Sequence, residues 1–579
     1  MTNNIRIFLW LALALALYVN YTQWQIDYAP KPPAPVATTS TRLPDGTVVA
    51  SKPASLSDTV PQAAQSSAVA PSSSTVPDAA LAGSTVEPQG TATTDSTIHV
   101  VTDVLDLEIS RVGGTLVKAV LPAYPVTKGQ PDPVVLLNRN SPATNYVLQT
   151  GLTGPKGSDH PTHLASFTSP ADTYELTAGA NELRVPLTWT DGNGVTVTKT
   201  FVFHRSMFVI GLEYQIANQS GTPWQAAIYS QISRTDPAVE RSMFRFNAET
   251  FATRGPAVWA SQKPGDKNIY KVWKKVDGEN FTAHVKAGWL AGLQHHFVTA
   301  VVPDPAQDFD YTMRGQGQEY LIAAVGPMQV YKPGSAATIK ENLFVGPKLQ
   351  RQLDTIHPEL TRVADYGLLT PLSRPLFWLL DTIHALVKNW GLSIILATFL
   401  LKLLFYPLAQ YSGRSMARMR ALAPRMKSLQ ETYKDDRTKL GQATMELYKT
   451  EKVNPLSGCM PMLIQMPVFL AFYWVLLESV EMRQAPFMGW INDLSARDPF
   501  FILPALNGLA MWMQYKLNPP PPDPVQAKVF QFMPIVFSVM FALFPAGLVL
   551  YWVTNTGLSI LQQWNINRTI AAQDKARKK

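Results

Sequence analysis

A single cysteine, Cys459, in a chain of 579 residues excludes any internal disulfide and any thiolate zinc cluster. It lies far from the N-terminal hydrophobic stretch, so lipid attachment there is excluded as well. Charge is scarce: 16% of residues are Asp, Glu, Lys or Arg, and the formal net charge is +8. The basic residues gather beside hydrophobic segments and form no stripe interleaved with aromatics, which argues against nucleic acid binding and for membrane orientation. Histidine is absent after His384, and Asp and Glu are absent from five apolar runs: Gly391 to Gln410, Cys459 to Leu477, Phe500 to Lys516, Val529 to Leu543 and Gly547 to Trp564. No Ser-His dyad and no aspartate pair can therefore form in those runs. They also lack the intramembrane carboxylate that a proton- or sodium-coupled transporter needs. No GxxxxGK[ST] nucleotide loop occurs anywhere.

What is present divides into two unlike parts. Ile5 to Val19 is apolar apart from Arg6 and ends among Tyr18, Tyr21 and Trp24. A signal peptide would need a small-x-small cleavage site directly afterwards, and none follows; the aromatic cluster is that of an interfacial belt. Residues 1–24 are read as an uncleaved first span. Residues 25–96 are rich in Pro, Ala, Ser and Thr and bury too little apolar surface to order themselves, so they read as a flexible tether.

From Thr97 the pattern alternates: Leu105, Leu107 and Ile109, then Leu212, Tyr214 and Ile216, are separated by polar residues. Asp191-Gly192-Asn193-Gly194 ahead of Val195 is a hairpin signal. Residues 97–346 are expected to form an antiparallel all-β sandwich. Its histidines suggest no metal: only His295 and His296 are adjacent, on a strand-like stretch where neighbours point to opposite faces, and no carboxylate stands at ligand spacing. No residue there demands a sugar or a cofactor.

Residues 347–390 hold a short helix and an amphipathic one, with Leu376, Leu379, Leu380, Ile383, Leu386 and Val387 apolar and Asp381, His384 and Lys388 polar. The apolar runs then predict spans at 391–411, 457–478, 500–517, 529–544 and 546–566. With the first they make six transmembrane helices. The loop 412–456 and the tail 567–579 carry most of the nearby Lys and Arg, whereas 479–499 has only Arg483 and Arg497. By the positive-inside rule the loop 412–456, the short loop 518–528 and both termini are cytoplasmic, and the sandwich is outside. Met416, Met419, Leu422 and Met426 give the loop 412–456 the character of two helices joined near Asp435. Their methionine stripe serves either to dock passing hydrophobic segments or to pack the two helices together.

Lys402 stands inside the second span with no acidic residue in the run. A charge at that depth costs about 2.5–3.5 kcal/mol on insertion scales. It lies about 16 Å from one end of the run and about 10 Å from the other, far for a snorkelling side chain. A polar cavity is the alternative, and the non-ionic polar residues of the spans fit it: Thr398 one turn before Lys402, Gln465, Asn507, Gln514, and Asn555, Ser559 and Gln562 on one helical face. Hydrogen bonding between helices would account for any one of these. A Ser-Lys dyad would need a serine that the sequence cannot place.

Several strings resemble the YidC family of membrane protein insertases: Thr398-Phe399-Leu400-Leu401-Lys402 ahead of Tyr406-Pro407-Leu408; Tyr448-Lys449 through Lys452-Val453-Asn454-Pro455; Gly458-Cys459 leading to Leu463-Ile464-Gln465-Met466-Pro467; and Phe544-Pro545-Ala546-Gly547 through Tyr551-Trp552. The resemblance covers about residues 360–570, and the tether and sandwich resemble the large periplasmic domain of Gram-negative members. It implies a five-helix core with a hydrophilic groove open to cytoplasm and lipid, in a multi-pass protein of the bacterial inner membrane. It implies insertion and folding of nascent membrane proteins, alone or with the Sec translocon, with no catalytic residue, metal or cofactor. By position it assigns to the groove Lys402, Thr398, Gln465, Met466, Pro467, Tyr551 and Trp552. Two departures stand out: Lys402 where Gram-negative relatives usually have arginine, and Trp552 where a tyrosine is common. The ribosome, through the hairpin and basic tail, and membrane lipids are further expected partners. The alternative is a membrane-anchored assembly chaperone acting through its periplasmic domain.

Overall fold

The computed structural model describes residues 40–42, 48–50, 56–63, 96–139, 142–236, 252–261, 267–433, 436–451, 460–517 and 524–577. The expected first span, most of the tether and Cys459 lie outside the described residues.

Two antiparallel sheets packed face to face occupy Thr97 to Pro347. One has eight strands, in the order Ile269–Val272, Gly255–Ser261, Ala287–Leu293, Phe297–Val302, Ser335–Pro347, Val209–Asn218, Val195–His204 and Glu182–Thr190. The other has eleven, and its one parallel pairing joins Thr97–Val101 to Thr173–Glu175. The alternation read from the sequence is the burial pattern: Leu107 and Ile109, like Leu212, Tyr214 and Ile216, are buried between the sheets. The hairpin at 191–194 forms as expected. The Asp191 carboxylate accepts from the backbone N–H groups of Asn193 (2.8 Å) and Val195 (2.9 Å), while Gly192 and Gly194 take the positive φ values of 74° and 107° that the turn requires.

Part of the expected tether departs from flexibility. Residues 56–63 lie against the sandwich, where Gln149 Nε2 and His163 Nε2 bond to Ser57 O (both 3.1 Å) and Gln231 Nε2 donates to Thr59 O (3.3 Å). Buried side chains that need partners order a segment whose own composition would not. The histidine pair is a second correction. His295 and His296 sit in the bend between two strands, their rings stack at 3.8 Å, and both Nε2 atoms bond to Leu477 O, at 2.9 and 3.2 Å. Strand alternation does not apply in a bend, so both rings face the helical part of the chain.

That part contains α1 (Gln350–Ile356), α2 (Thr370–Val387), α3 (Trp390–Leu404), α4 (Tyr406–Ala421), α5 (Ala423–Thr432), α6 (Arg437–Thr450), α7 (Met460–Glu478), α8 (Ile502–Leu517), α9 (Pro524–Phe541) and α10 (Ala546–Arg577). Helix α2 turns Leu376, Leu380 and Ile383 inward, while Trp378 and Leu386, 67% and 81% exposed, face out. The expected second span is broken: α3 and α4 meet at 62° around Phe405. The expected cytoplasmic hairpin is α5 and α6, with Met426 buried between them and Met445 exposed. The last helix runs on into the basic tail. Among the described residues no single helix is long and apolar enough to cross a membrane by itself; the bent α3–α4 pair is, and α7 and α9 contain shorter apolar segments. A second hydrophobic core, centred on Ala397, Phe472, Val475, Val549 and Tyr551, binds α2, α3, α7 and α10 together.

Candidate functional site

Helix α3 begins at Asn389, whose side chain accepts from Leu392 N (3.0 Å) and so caps the helix. From there the residues facing the bundle, Ser393, Ile394, Ala397 and Thr398, are buried, and Leu396, Phe399, Leu400, Leu403 and Leu404 are exposed on the opposite side. Lys402 falls on the edge of the buried face and is half-buried. Its ammonium donates to Ser559 Oγ on α10 at 2.7 Å. The Ser559 hydroxyl in turn donates to Asn555 O, one turn earlier on α10, also at 2.7 Å.

Around this contact is a cavity of about 380 Å³ lined by α3, α4, α7, α8 and α10. Among the described residues, Lys402 is its only charged lining residue. Polar side chains surround it: Ser412 from α4, Gln465 from α7, Gln514 from α8, and Asn555, Thr556, Ser559, Gln562 and Gln563 from α10. Met466, Phe469, Met511, Tyr551, Trp552 and Ile566 supply apolar wall. The aromatic side of the wall is fixed by packing. The Phe469 ring meets Trp552 edge-on at 4.5 Å, Phe472 stacks on Tyr551 at 4.6 Å, and Phe541 of α9 lies 5.3 Å from Trp552. Gly413 lets α4 approach α10 closely: a Cβ there would come within 2.7 Å of Ile566 Cδ1.

Of the seven residues assigned from the resemblance, Lys402, Gln465, Met466, Tyr551 and Trp552 meet at this cavity. Thr398 lies one turn away, buried, with its hydroxyl donating to Ile394 O at 2.6 Å. Pro467 is exposed on α7, adjacent to Met466. Ser412, Gly413 and Gln563 were not singled out, because they lie outside or at the edge of the apolar runs and carry no charge. Small residues where two helices approach closely are the signal that could have found the first two. A buried amide nitrogen, Gln562 Nε2, has no hydrogen-bond partner.

The family model described as 60Kd inner membrane protein matches residues 382–574, and that described as YidC periplasmic domain matches residues 97–379. These define the class: a membrane protein carrying a periplasmic β domain. The membrane protein insertase YidC of Nitrosococcus oceani is 42% identical, with 98% of this chain and 99% of that protein covered. That of Pseudomonas aeruginosa is 43% identical, with 97% and 98% covered. A crystal structure of an active YidC insertase with its first transmembrane domain resolved is similar at 17% identity and a TM-score of 0.36, covering 81% of this chain and 92% of that one. The chain belongs to the YidC family of membrane protein insertases. Like these relatives, it is a membrane protein insertase.

Proposed function

We propose that the chain inserts and folds nascent membrane proteins through the cavity around Lys402, alone or beside the Sec translocon. In this reading six spans cross the inner membrane, both termini and the α5–α6 hairpin are cytoplasmic, and the sandwich is periplasmic. The observation that carries it is the ammonium of Lys402 in a cavity whose lining, among the described residues, holds many polar side chains and no acid. An uncompensated positive charge in low-dielectric surroundings attracts carboxylates and polar groups. A substrate's translocated tail or loop meets that charge partway across the bilayer, which shortens the apolar distance left to cross. Its hydrophobic helix then leaves along α7 and α9, where Met466, Leu470, Ile535 and Val539 are exposed. Thr398 and Pro467 belong to the same path, one bracing α3 and the other flanking Met466. The basic tail, with Lys575 and Arg577 before the final lysines, suits ribosomal RNA or anionic lipid.

The test is insertion of a single-span substrate with an acidic translocated tail. Lys402→Arg retains insertion and Lys402→Glu loses it. Insertion by Lys402→Ala equal to that of the parent would overturn the reading.

A second reading, an assembly chaperone acting through the sandwich, is supported by the buried ion pair between Lys348 and Glu478 that joins the sandwich to α7. Deleting residues 97–346 separates the two: insertion survives under the first reading and collapses under the second.

A further inference from the structure

Lys402 has a choice of positions that its own helix does not settle. Leu403 and Leu404, 59% and 70% exposed, follow it directly, and the chain then bends by 62°. A flexible four-carbon stem at the end of a helix could swing its ammonium along the bend toward the nearer surface. In this structure it turns the other way, across to α10, and the atom that receives it is Ser559 Oγ.

The Ser559 hydroxyl has one proton and two lone pairs. Its proton is committed to Asn555 O at 2.7 Å, a bond within α10 that fixes the side-chain rotamer. What the hydroxyl offers to the cavity is therefore acceptor capacity alone, aimed from a rigid helix. It can take one N–H of the ammonium while two remain for another ligand. Asn555 and Gln562 lie four residues before and three after Ser559 and line the same cavity. The unpartnered Gln562 Nε2 adds a second donor near that point. The two remaining N–H groups of Lys402 and the free Gln562 Nε2 are donors that a carboxylate can accept from.

We infer that Ser559 is a positioning residue: its back-bonded hydroxyl holds the Lys402 ammonium inside the cavity, aimed at the path of an acidic substrate segment. The inference rests on the proposed role of Lys402. Ordering the long side chain in advance removes that entropy cost from substrate binding. The effect is confined to substrates that use the charge.

The experiment uses the full chain in proteoliposomes and two single-span substrates that differ only in the translocated tail, one carrying aspartates and the other asparagines. Ser559→Thr and Ser559→Val form a matched pair, since valine keeps the threonine shape and lacks the hydroxyl. Ser559→Val lowers the insertion rate of the acidic-tailed substrate about ten-fold, the factor expected for loss of one charge-assisted hydrogen bond. Ser559→Thr restores it, and the asparagine-tailed substrate, which brings no carboxylate to the ammonium, is slowed much less by Ser559→Val. Equal loss with both tails, failure of threonine to restore, or a Ser559→Val protein as active as the parent overturns the positioning role. Lys402→Ala is the control for the reading beneath it. If Lys402→Ala inserts the acidic tail normally, that reading fails. If Lys402→Ala is impaired and Ser559→Val is not, only the positioning role fails.

Discussion

Lys348 Nζ and Glu478 Oε2 face each other at 3.7 Å, both side chains entirely shut off from solvent, one at the end of the last sandwich strand and the other at the end of α7. Glu478 Oε1 accepts from Thr253 N at 3.1 Å, and neither Lys348 Nζ nor Glu478 Oε2 has a hydrogen bond. Around them the seam between sandwich and helices is polar: Arg483 Nη2 donates to Pro125 O (2.7 Å), Lys128 to Gln484 O (2.6 Å), and Gln350 N to Glu481 Oε1 (3.4 Å). Desolvating two charges offsets most of their attraction, so the pair adds little net stability. Breaking it is another matter. Lys348→Met strands a buried carboxylate and lowers stability by about 3–5 kcal/mol, whereas Lys348→Met with Glu478→Leu returns close to the parent. Thermal unfolding in detergent of the parent, the single and the double variant checks this.

The same pair makes an unusual comparison for the sandwich as a whole. Deleting residues 97–346 opens the seam to water, where Glu478 and Lys348 are solvated and cost nothing to leave unpaired. Lys348→Met keeps the seam closed around a lone charge. The point variant is therefore more damaging to folded yield in the membrane than the deletion of 250 residues, that is, residues 97 through 346. Quantifying folded protein in membrane fractions of both decides it; a deletion that accumulates less than the point variant contradicts the argument.

The seam also has opposing pH responses. Burial pushes the Glu481 carboxyl up to about 7, and it pushes the His295 imidazole down to about 4 and that of His296 well below its ordinary value. For the raised acid, the stabilising contribution is complete below its ordinary value near 4.5 and is lost as pH rises through about 7. For the lowered histidine, it is complete above its ordinary value near 6.5 and is lost as pH falls toward about 4. Between those limits the two slopes oppose each other. Glu481→Gln therefore gains stability with rising pH between about 4 and 6.5 more steeply than the parent, and His295→Gln less steeply. Unfolding midpoints across pH 4–8, a range set by these two groups, test both signs.

Gly391 stands in the first turn of α3 against the loop 479–499, and a Cβ on it would come within 2.1 Å of Phe487 Cδ2. Asn389 Nδ2 donates to Phe487 O at 2.8 Å, so the loop cannot simply drift away. Gly391→Ala costs about 1–3 kcal/mol by overpacking. Adding Phe487→Ala relieves the clash, and the double variant melts above the single one.

The sandwich was legible in the sequence because period-two burial and a glycine turn are local signals. Leu212, Tyr214 and Ile216 declare their faces without reference to any other strand. The cavity was legible in part for a different reason: a lysine in an apolar run has to find a polar partner, and the stripe Asn555, Ser559 and Gln562 was visible at helical spacing. That Ser559 is the partner was not visible, since it requires knowing how α3 and α10 cross. The seam was hidden altogether. Lys348 and Glu478 lie 130 residues apart, and each alone reads as an ordinary charge at the end of an element. His295 and His296 were misread because a bend of two residues between strands breaks the alternation that a strand would impose.

Helix α7 runs from this seam to the cavity. Gln465 and Glu478 are 13 positions apart, about 20 Å along the axis. The half nearest the seam is gripped: Ala471, Phe472 and Val475 are fully buried, Ser373 donates to Ala471 O, and Leu477 O holds both histidines. The half at the cavity is loose, with Met466 and Leu470 each 41% exposed and Pro467 unable to donate to the turn before it. Mechanically this is a cantilever, rooted at the seam and compliant at its tip. Such a wall gives way to passengers of different girth while its root, and with it the opposite wall on α10, stays put.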